Sequence, residues 1–371
     1  MQYYKKLFVF ISLILLYTGC SQFNEKDSDV YTQTIIPPKG STSKYDSTTS
    51  SNFNSKQTTE ELKVAFIADQ GINENAKKVL QLIKDEKADM VIHAGDFGCC
   101  NSIIKYLRGR ESYIGTALDW DAQITNILGP NFPYFGTIGN HDGGNWPTYQ
   151  KLLQQRVDNN LDITCFGNLG IKSTCNYKGL FFVLSGVGEI GDNHDSYINH
   201  ALKNNDSIWK ICTWHKNQKE MQIGGKKDAV GWEPYEECRK GGAIIATGHE
   251  HTYSRTKTLT NTINQQVHQE WDQPNLIKIS KETENQKGST FVFVSGIGGE
   301  SIRDQERCRP VTYPYGCNQE WAKIYTSDHN AKSGALFITF HVDKDPTKAK
   351  GYFKNIDNEI IDEFIIYSFN E

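Results

Sequence analysis

Residues 134–142 read Tyr-Phe-Gly-Thr-Ile-Gly-Asn-His-Asp, a short apolar run that stops at a polar cluster. Four other runs have the same form, and they end in Asp69-Gln70-Gly71, Gly95-Asp96-Phe97, His215 and Gly248-His249-Glu250-His251. Each run is apolar, rich in β-branched residues and bounded by Gly, Asn or Asp, as buried strands tend to be. Ligand sites in α/β sheets lie beyond the carboxyl ends of strands, so we expect the five clusters to meet in one crevice.

Strand and helix patterns alternate after residue 61. Strands are predicted at Val64–Ala68, Met90–Ala94, Tyr134–Ile138, Leu180–Val187, Trp209–Thr213, Ala243–Thr247 and Thr290–Ser295. Apolar spacing predicts a helix over Asn73–Glu86, and Pro147 suits the first turn of a helix over Thr148–Val157. Meandering strands are predicted at Leu336–Val342, Tyr352–Asn355 and Ile360–Ile366. This order predicts an α/β fold with a largely parallel core and a mixed sandwich.

The composition excludes several classes of protein. The 371 residues are 37% hydrophobic and include seven Trp, 18 Tyr and 18 Phe, which argues against a mostly disordered chain. The length allows one large domain or two ordinary ones. A formal net charge of −4 gives no general attraction for nucleic acid or anionic membrane surfaces, so no nucleic-acid partner is expected.

The first twenty residues predict export. Lys5 and Lys6 precede an apolar run, Leu7–Leu16, that is too short to span a bilayer comfortably. Gly19-Cys20 then resembles a bacterial lipoprotein cleavage site, in which Cys20 becomes the lipid-bearing N-terminus. Tyr17 departs from the aliphatic residue usual at such sites, so ordinary secretory cleavage and an uncleaved anchor stay open.

The expected organisation of the chain follows from these segments. Residues 1–20 are predicted to be a signal peptide, and residues 21–60, rich in Ser, Thr, Asn and Gln, a flexible polar tether. Residues 61–371 are predicted to form the folded domain. We therefore expect a protein held at a membrane through a lipid and facing the periplasm or the cell exterior, or one that is secreted.

The nine cysteines also bear on the compartment, because an odd number cannot all pair internally. If Cys20 carries lipid, eight remain in an exported domain, where disulfides persist. The first expected pairs are Cys165 with Cys175 and Cys308 with Cys317. The sequence leaves four cysteines unassigned, and these are Cys99, Cys100, Cys212 and Cys238.

The polar clusters at the strand ends predict a metal site. They supply two carboxylates, one amide and four imidazoles, a mixture that suits Zn, Fe or Mn better than a thiolate-rich structural zinc site. A lone Asp after a strand is usually a helix cap or turn residue, and a lone His is usually a buried structural residue. Five such clusters in chain order make a chance arrangement a poor explanation.

The ordered blocks resemble those of the calcineurin-like metallophosphoesterase superfamily. They are Asp69-x-Gly71, Gly95-Asp96, Gly139-Asn140-His141-Asp142, His215 and Gly248-His249-x-His251. The first block and the stretch 248–255 are similar to the purple acid phosphatase branch. The resemblance implies a four-layer α/β/β/α sandwich with a dinuclear metal site at the strand ends. It also implies a metal-dependent phosphoric ester hydrolase, in which a metal-bridging hydroxide attacks small phosphorylated substrates, with phosphomonoesters the best match.

The resemblance assigns roles to individual residues. Two metal ions are expected, drawn from Fe, Zn and Mn. Asp69, Asp96 and His251 would hold the first, Asp96 would bridge to the second, and the second would be completed by Asn140, His215 and His249.

Other residues would act on the substrate. His141 resembles the histidine that contacts the phosphate or protonates the leaving group, and Asp142 would fix its orientation. The expected substrate contacts are Asn140, His141 and Arg255. The loops 109–131 and 216–237 are expected to shape substrate choice, with Trp120, Trp232 and Tyr235 either stacking on a ring or packing inside the protein.

Two positions depart from the family pattern around the first metal. Other branches carry a metal-binding His where this chain has Gly71, and purple acid phosphatases supply a Tyr where it has Cys99. Water or Cys99 could complete the ligand set, although a disulfide or simple packing also explains Cys99. The thin ligand set keeps an alternative open, in which the protein is a weak or inactive phosphoesterase-fold surface lipoprotein used for binding or adhesion.

Overall fold

The computed structural model describes residues 60–98 and 112–370, and the elements below belong to these residues. All of them lie in one unit of the chain, Asn54–Glu371. The expected signal peptide, nearly all of the expected tether, and Cys20, Cys99 and Cys100 lie outside the described residues. Among the described helices, none is long and apolar enough to span a membrane.

The described residues form strands and helices that alternate early in the chain and become mostly strands later. The strands are β1 (Leu62–Ile67), β2 (Met90–His93), β3 (Tyr134–Gly136), β4 (Ile163–Asn168), β5 (Lys172–Tyr177), β6 (Leu180–Ser185), β7 (Lys210–Thr213), β8 (Ile244–Thr247), β9 (Tyr253–Thr256), β10 (Leu259–Asn261), β11 (Gln266–Val267), β12 (Leu276–Ile279), β13 (Val292–Ser295), β14 (Trp321–Tyr325), β15 (Gly334–Phe340), β16 (Lys348–Asn355) and β17 (Ile360–Ser368). The helices are α1 (Glu74–Asp85), α2 (Ser112–Leu128), α3 (Trp146–Asp158), α4 (His194–Lys203) and α5 (Glu233–Lys240).

Seven strands form the first large sheet, in the order β12-β17-β16-β15-β1-β2-β3. Strands β1, β2 and β3 are parallel to one another. The other half of the sheet begins with β15, which pairs antiparallel with β1 and continues into an antiparallel meander through β16 and β17. Ala65 lies between Val91 and Phe337 in the register, so the N-terminal strand joins the two halves.

Eight strands form the second large sheet, in the order β14-β9-β13-β8-β7-β6-β5-β4. Its centre is parallel and consists of β6, β7, β8 and β13. Antiparallel strands flank this centre on both sides. The five polar clusters follow parallel strands, which are β1, β2 and β3 of the first sheet and β7 and β8 of the second.

The two large sheets pack face to face through aromatic side chains. Phe66 of the first sheet lies edge-on to Phe293 of the second with ring centroids 5.2 Å apart, and Phe135 meets Phe182 at 4.7 Å. Along β6, Phe182 faces this shared core, whereas its neighbour Phe181 packs in a second cluster with residues of α4 and α5. Helices therefore cover the outer faces, and the predicted four-layer sandwich is confirmed.

The predicted helix before β2 is confirmed as α1, and its N-terminus is capped by Asn73, whose side chain accepts a hydrogen bond from the backbone N–H of Ala76 at 3.0 Å. The second predicted helix is confirmed as α3 and begins two residues earlier than expected. The stretch 109–131, predicted as a loop, instead contains α2. Trp120 of that helix is fully buried and packs against Phe97, so it lines no substrate pocket.

Three disulfides link described residues. The expected pairs Cys165–Cys175 and Cys308–Cys317 are both present. Of the cysteines left unassigned, Cys212 on β7 is bonded to Cys238 on α5. This bond fixes a helix of the outer layer to the strand that leads to His215.

We predict that Phe182→Ala lowers the free energy of unfolding by about 3–5 kcal/mol, because it removes a ring from the interface between the sheets. Phe166→Ala is the matched control, since that ring is 57% exposed on β4, and its effect should be much smaller. Chemical denaturation of both variants gives the comparison. Equal losses of stability would mean that the aromatic contact between the sheets is not a main source of stability.

Candidate metal centre

The polar clusters meet where the parallel strands of both sheets end. The backbone N–H of Asp69 donates to the carbonyl of Gly95, and the N–H of Gln70 donates to the carbonyl of Asp96, both at 3.1 Å. In the second sheet, the N–H of Gly248 donates to the carbonyl of His215 at 3.1 Å. These hydrogen bonds hold the strand-end loops side by side, so their side chains share one small space.

The ring of His215 is held by a backbone carbonyl of another strand end, so that one ring nitrogen faces the site. Its Nδ1 lies 2.7 Å from the carbonyl oxygen of Ala94, which can only accept, so Nδ1 carries the proton. Nε2 then points at Oδ2 of Asp96, 3.2 Å away, and at Oδ1 of Asn140, 3.1 Å away. In the neutral ring this nitrogen is an acceptor that faces two other acceptors.

His251 is arranged in the same way against the other carboxylate. Its Nδ1 donates to the carbonyl of Ser301 at 2.8 Å, and its Nε2 lies 3.3 Å from Oδ1 of Asp69. That oxygen is buried and has no hydrogen-bond partner among the residues that the structure describes. The other oxygen of Asp69 accepts from the backbone N–H of His249 at 2.8 Å.

These contacts are those expected around a cation. The ligand atoms of Asp69, Asp96 and His215 all lie within 4.8 Å of one another, and all three residues are buried. Buried acceptors that face each other are costly unless something positive lies between them. Carboxylate oxygen and imidazole nitrogen are donors that Zn, Fe and Mn accept, so the residues present fit the metal ions that the resemblance implies.

The charges of the site residues are coupled to one another. Burial alone would lower the pKa of His215, but the Asp96 carboxylate raises it to about 10, so the ring takes a second proton. Burial opposes ionisation of Asp96, yet His215 and His141 hold its pKa well below the usual range. A metal ion would displace that extra proton, because ligation requires the neutral imidazole.

The remaining predicted ligands lie around the same point. The ring of His249 is 4.9 Å from that of His215, centroid to centroid. Burial and the positive charge of His215 lower the pKa of His249 far below its usual range, so this ring is neutral. Asn140 and His141 follow β3 on the exposed rim, and the backbone N–H of His141 donates to Oδ1 of Asp96 at 2.9 Å.

The backbone around these residues is unusual. Asp69, Asp96 and His249 adopt positive φ angles of 54°, 59° and 67°, a region that non-glycine residues rarely occupy. Such conformations cost about 1–3 kcal/mol each and gather at functional sites. Gly139 shows how close the loops come, since a Cβ there would lie 2.2 Å from Oδ1 of Asp96.

The expected role of Asp142 is corrected by its contacts. Its buried carboxylate accepts hydrogen bonds from three backbone N–H groups, those of Asp96 at 2.8 Å, Phe97 at 3.0 Å and Gly139 at 2.7 Å. Asp142 therefore joins the loop after β3 to the loop after β2. It positions Asp96 through the backbone instead of orienting the His141 ring.

The prediction that Arg255 contacts the substrate is wrong. The side chain is 1% exposed, and its Nε and Nη2 donate to the two carboxylate oxygens of Asp362 at 2.7 and 2.9 Å. The guanidinium also lies over the Phe364 ring at 3.9 Å, and Tyr253 donates to the same carboxylate at 2.7 Å. Arg255 fastens β9 of the second sheet to β17 of the first.

Several polar residues near the site gave no usable signal in the sequence. The Glu189 carboxylate lies 3.2 Å from Nζ of Lys216, and burial raises its pKa to about 7, although His215 and Lys216 lower it. Lys226 donates from its ammonium to the carbonyl of His249. Glu300 lies against Gly71. Single charged residues in loops are common, so only their placement in space marks them.

The comparisons with known proteins agree with the fold. Residues 62–253 match the family model described as calcineurin-like phosphoesterase. The structure resembles purple acid phosphatase PPD1 from yellow lupin (Lupinus luteus) seeds, with a TM-score of 0.58, 18% identity, and coverage of 84% of this chain and 54% of the lupin chain. It also resembles PhoD, with a TM-score of 0.51, 11% identity, and coverage of 84% and 70%.

This chain therefore spans about half the length of the lupin phosphatase, and at these identities both likenesses concern the fold. No curated protein matched the sequence.

We predict that Arg255→Met or Asp362→Asn destabilises the protein by about 3–5 kcal/mol, because each leaves a buried partner uncompensated. The double variant Arg255→Met/Asp362→Leu should recover much of that loss. Lys350→Ala breaks the exposed pair with Glu363 on β17 and should change stability by less than about 1 kcal/mol. A stable Arg255→Met protein with a raised KM would contradict this and would support a contact between Arg255 and the substrate.

Proposed function

The chain belongs to the calcineurin-like phosphoesterase family, and we propose that it acts outside the cytoplasm as a phosphatase that hydrolyses phosphomonoesters at two metal ions. As a member of this family it is a metal-dependent phosphoester hydrolase. One observation carries the proposal further. Two imidazoles, each fixed at Nδ1 by a backbone carbonyl, turn Nε2 toward a buried carboxylate, at 3.2 Å for His215 with Asp96 and 3.3 Å for His251 with Asp69.

We assign the predicted ligands to two neighbouring positions. Asp69 and His251 belong to the first, Asn140, His215 and His249 belong to the second, and Asp96 serves both. When bound, a pair of metal ions polarises the phosphoryl group, lowers the pKa of a coordinated water, and stabilises charge on the entering and leaving oxygens. Both carboxylates are buried, so bulk water screens their charge little.

His141 is the residue that we assign to the leaving group. Its backbone N–H is bonded to Asp96, which keeps it beside the site, while the residue itself is exposed. An imidazole at the open rim can donate a proton to the alkoxide that departs from phosphorus. Asn140 is also exposed, with its Oδ1 3.1 Å from Nε2 of His215, and we assign its amide N–H to donate to a phosphate oxygen.

The preference for monoesters rests on charge. Lys226 adds a positive charge next to His249, and this favours the dianion of a phosphomonoester over the monoanion of a diester. The first block, Asp69-x-Gly71, and the fold likeness to the lupin purple acid phosphatase agree with this choice.

Export is supported by three disulfides, which persist in oxidising compartments. We propose that Cys20 carries the lipid and that residues 21–60 tether the domain to the membrane. Surface anchoring would then keep the enzyme close to substrates outside the cytoplasm.

The first test of the function is metal content together with hydrolysis. The purified protein should hold about two metal ions per chain, hydrolyse an aryl monophosphate faster than a bis-aryl phosphodiester, and stop when a chelator is added. His215→Ala and His249→Ala should lose metal and turnover together, whereas His200→Ala, an exposed histidine on α4, should lose neither. Wild-type protein that binds no metal and cleaves neither ester would favour the binding or adhesion alternative.

The role of His141 is tested separately. His141→Ala should retain both metal ions but turn over about 10²–10⁴-fold more slowly, as expected for the loss of an acid–base group. The defect should shrink with aryl esters whose leaving groups need no proton. Loss of a metal ion in this variant would show that His141 is a ligand instead.

A further inference from the structure

Gly71 leaves a gap beside the first metal position, and another residue fills it. A Cβ built on Gly71 would lie 2.3 Å from Oε1 of Glu300 and 3.3 Å from its Cδ. The carboxylate of Glu300 therefore takes the space into which a side chain at position 71 would project. Gly71 also has a φ of +71°, so a larger residue there would be strained as well as blocked.

The backbone holds Glu300 in this place from both sides. The N–H of Gly298 donates to the carbonyl of Ala68 at 3.0 Å, and the N–H of Glu300 donates to the carbonyl of Asp69 at 3.1 Å. On the other side, the carbonyl of Ser301 is the acceptor for Nδ1 of His251. Glu300 thus lies between the two residues that face each other across the first position.

The surroundings of Glu300 are those of the site. The residue is only partly exposed, and burial raises its pKa to about 7. The charge of His251 opposes this shift, whereas the carboxylates of Asp69 and Asp96 add to it. The geometry locates the residue, since its backbone N–H bonds the carbonyl of Asp69 and its carboxylate lies against Gly71.

The run Gly296-Ile297-Gly298-Gly299 explains how the acid reaches the site. A Cβ on Gly298 would lie 2.5 Å from the carbonyl oxygen of Ala68, and one on Gly299 would lie 2.1 Å from that of Gln70. Only glycine lets this segment lie so close to the end of β1. The side chain of Asn73 donates to the carbonyl of Gly299 at 3.0 Å and secures the segment from the α1 side.

We propose that Glu300 is an additional carboxylate of the first metal position, occupying the place that Gly71 leaves open. This inference rests on the proposed function, because it assumes that Asp69, Asp96 and His251 hold a metal ion. The first position would then draw on three carboxylates and one imidazole. The second would draw on the shared Asp96, an amide and two imidazoles, so the two positions differ in charge and in hardness.

The test is metal binding by Glu300→Gln, which keeps the size of the side chain and removes its charge. Equilibrium dialysis and calorimetry with Mn²⁺ and with Zn²⁺ should give two ions per chain for the wild type. In the variant, one of the two sites should weaken by about 10–100-fold while the other is unchanged. Glu306→Gln is the matched control, since Glu306 lies on the same segment but beside Gly225, and both of its sites should keep wild-type affinity.

Three further variants separate this inference from the function on which it rests. Glu300→Asp keeps the charge on a shorter side chain and should weaken the same site less than Glu300→Gln. The Asp variant also provides the test if the Gln variant fails to fold. Asp69→Asn should weaken that same site, whereas His215→Ala should weaken the other one. Two unchanged sites in folded Glu300→Gln, with an active wild type, would overturn only the role of Glu300. A wild type that binds neither metal would overturn both proposals.

Discussion

The candidate site depends on two backbone carbonyls that fix two histidine rings. The carbonyls of Ala94 and Ser301 each accept a hydrogen bond from Nδ1 of a histidine, His215 and His251 respectively, and so aim Nε2 at a buried carboxylate. Because the carbonyls belong to strand ends and their loops, the ring directions are set by the sheets and not by the rings themselves. The facing sheets, the buried Arg255–Asp362 pair and the hydrogen bonds of Asp142 all serve to keep these strand ends in place.

Much of this arrangement could be predicted from the sequence, because each polar cluster directly follows an apolar run. The periodicity of Asn73–Glu86 and the alternation of strands with helices predicted an α/β sandwich, and the four-layer order came from the family resemblance. The hairpin of β4 and β5 was not predicted, since Lys172–Tyr177 is polar and buries alternate residues without a β-branched run. The helix α2 was not predicted either, because the segment carries Gly115 and several β-branched residues, although Ala117, Trp120 and Ile124 face the core.

The residues that sequence reasoning misplaced are those whose partners lie far away in the chain. Arg255 follows the GHxH block and so suggested a substrate contact, but its partner Asp362 is 107 residues later. Glu300 illustrates the opposite case. Its carboxylate occupies the space that a side chain at position 71 would fill. No pattern in the sequence shows that a residue far along the chain fills the space beside a glycine. Local sequence patterns thus predicted the metal ligands that follow strands. The contacts between residues far apart in the chain, such as Arg255 with Asp362 and Glu300 with Gly71, were identified only in the structure.

The positive φ angles at Asp69, Asp96 and His249 bear on how long the protein resists unfolding and proteolysis. Strained backbone weakens the metal-free protein, whereas every ion bound only by the folded form adds stability, about 2.7 kcal/mol when its free concentration is 100 times its Kd. The supply of trace metals would then set how long the protein survives. Proteases in the same compartment would degrade molecules that had bound no metal ion. The molecules that persist would then be those that hold metal.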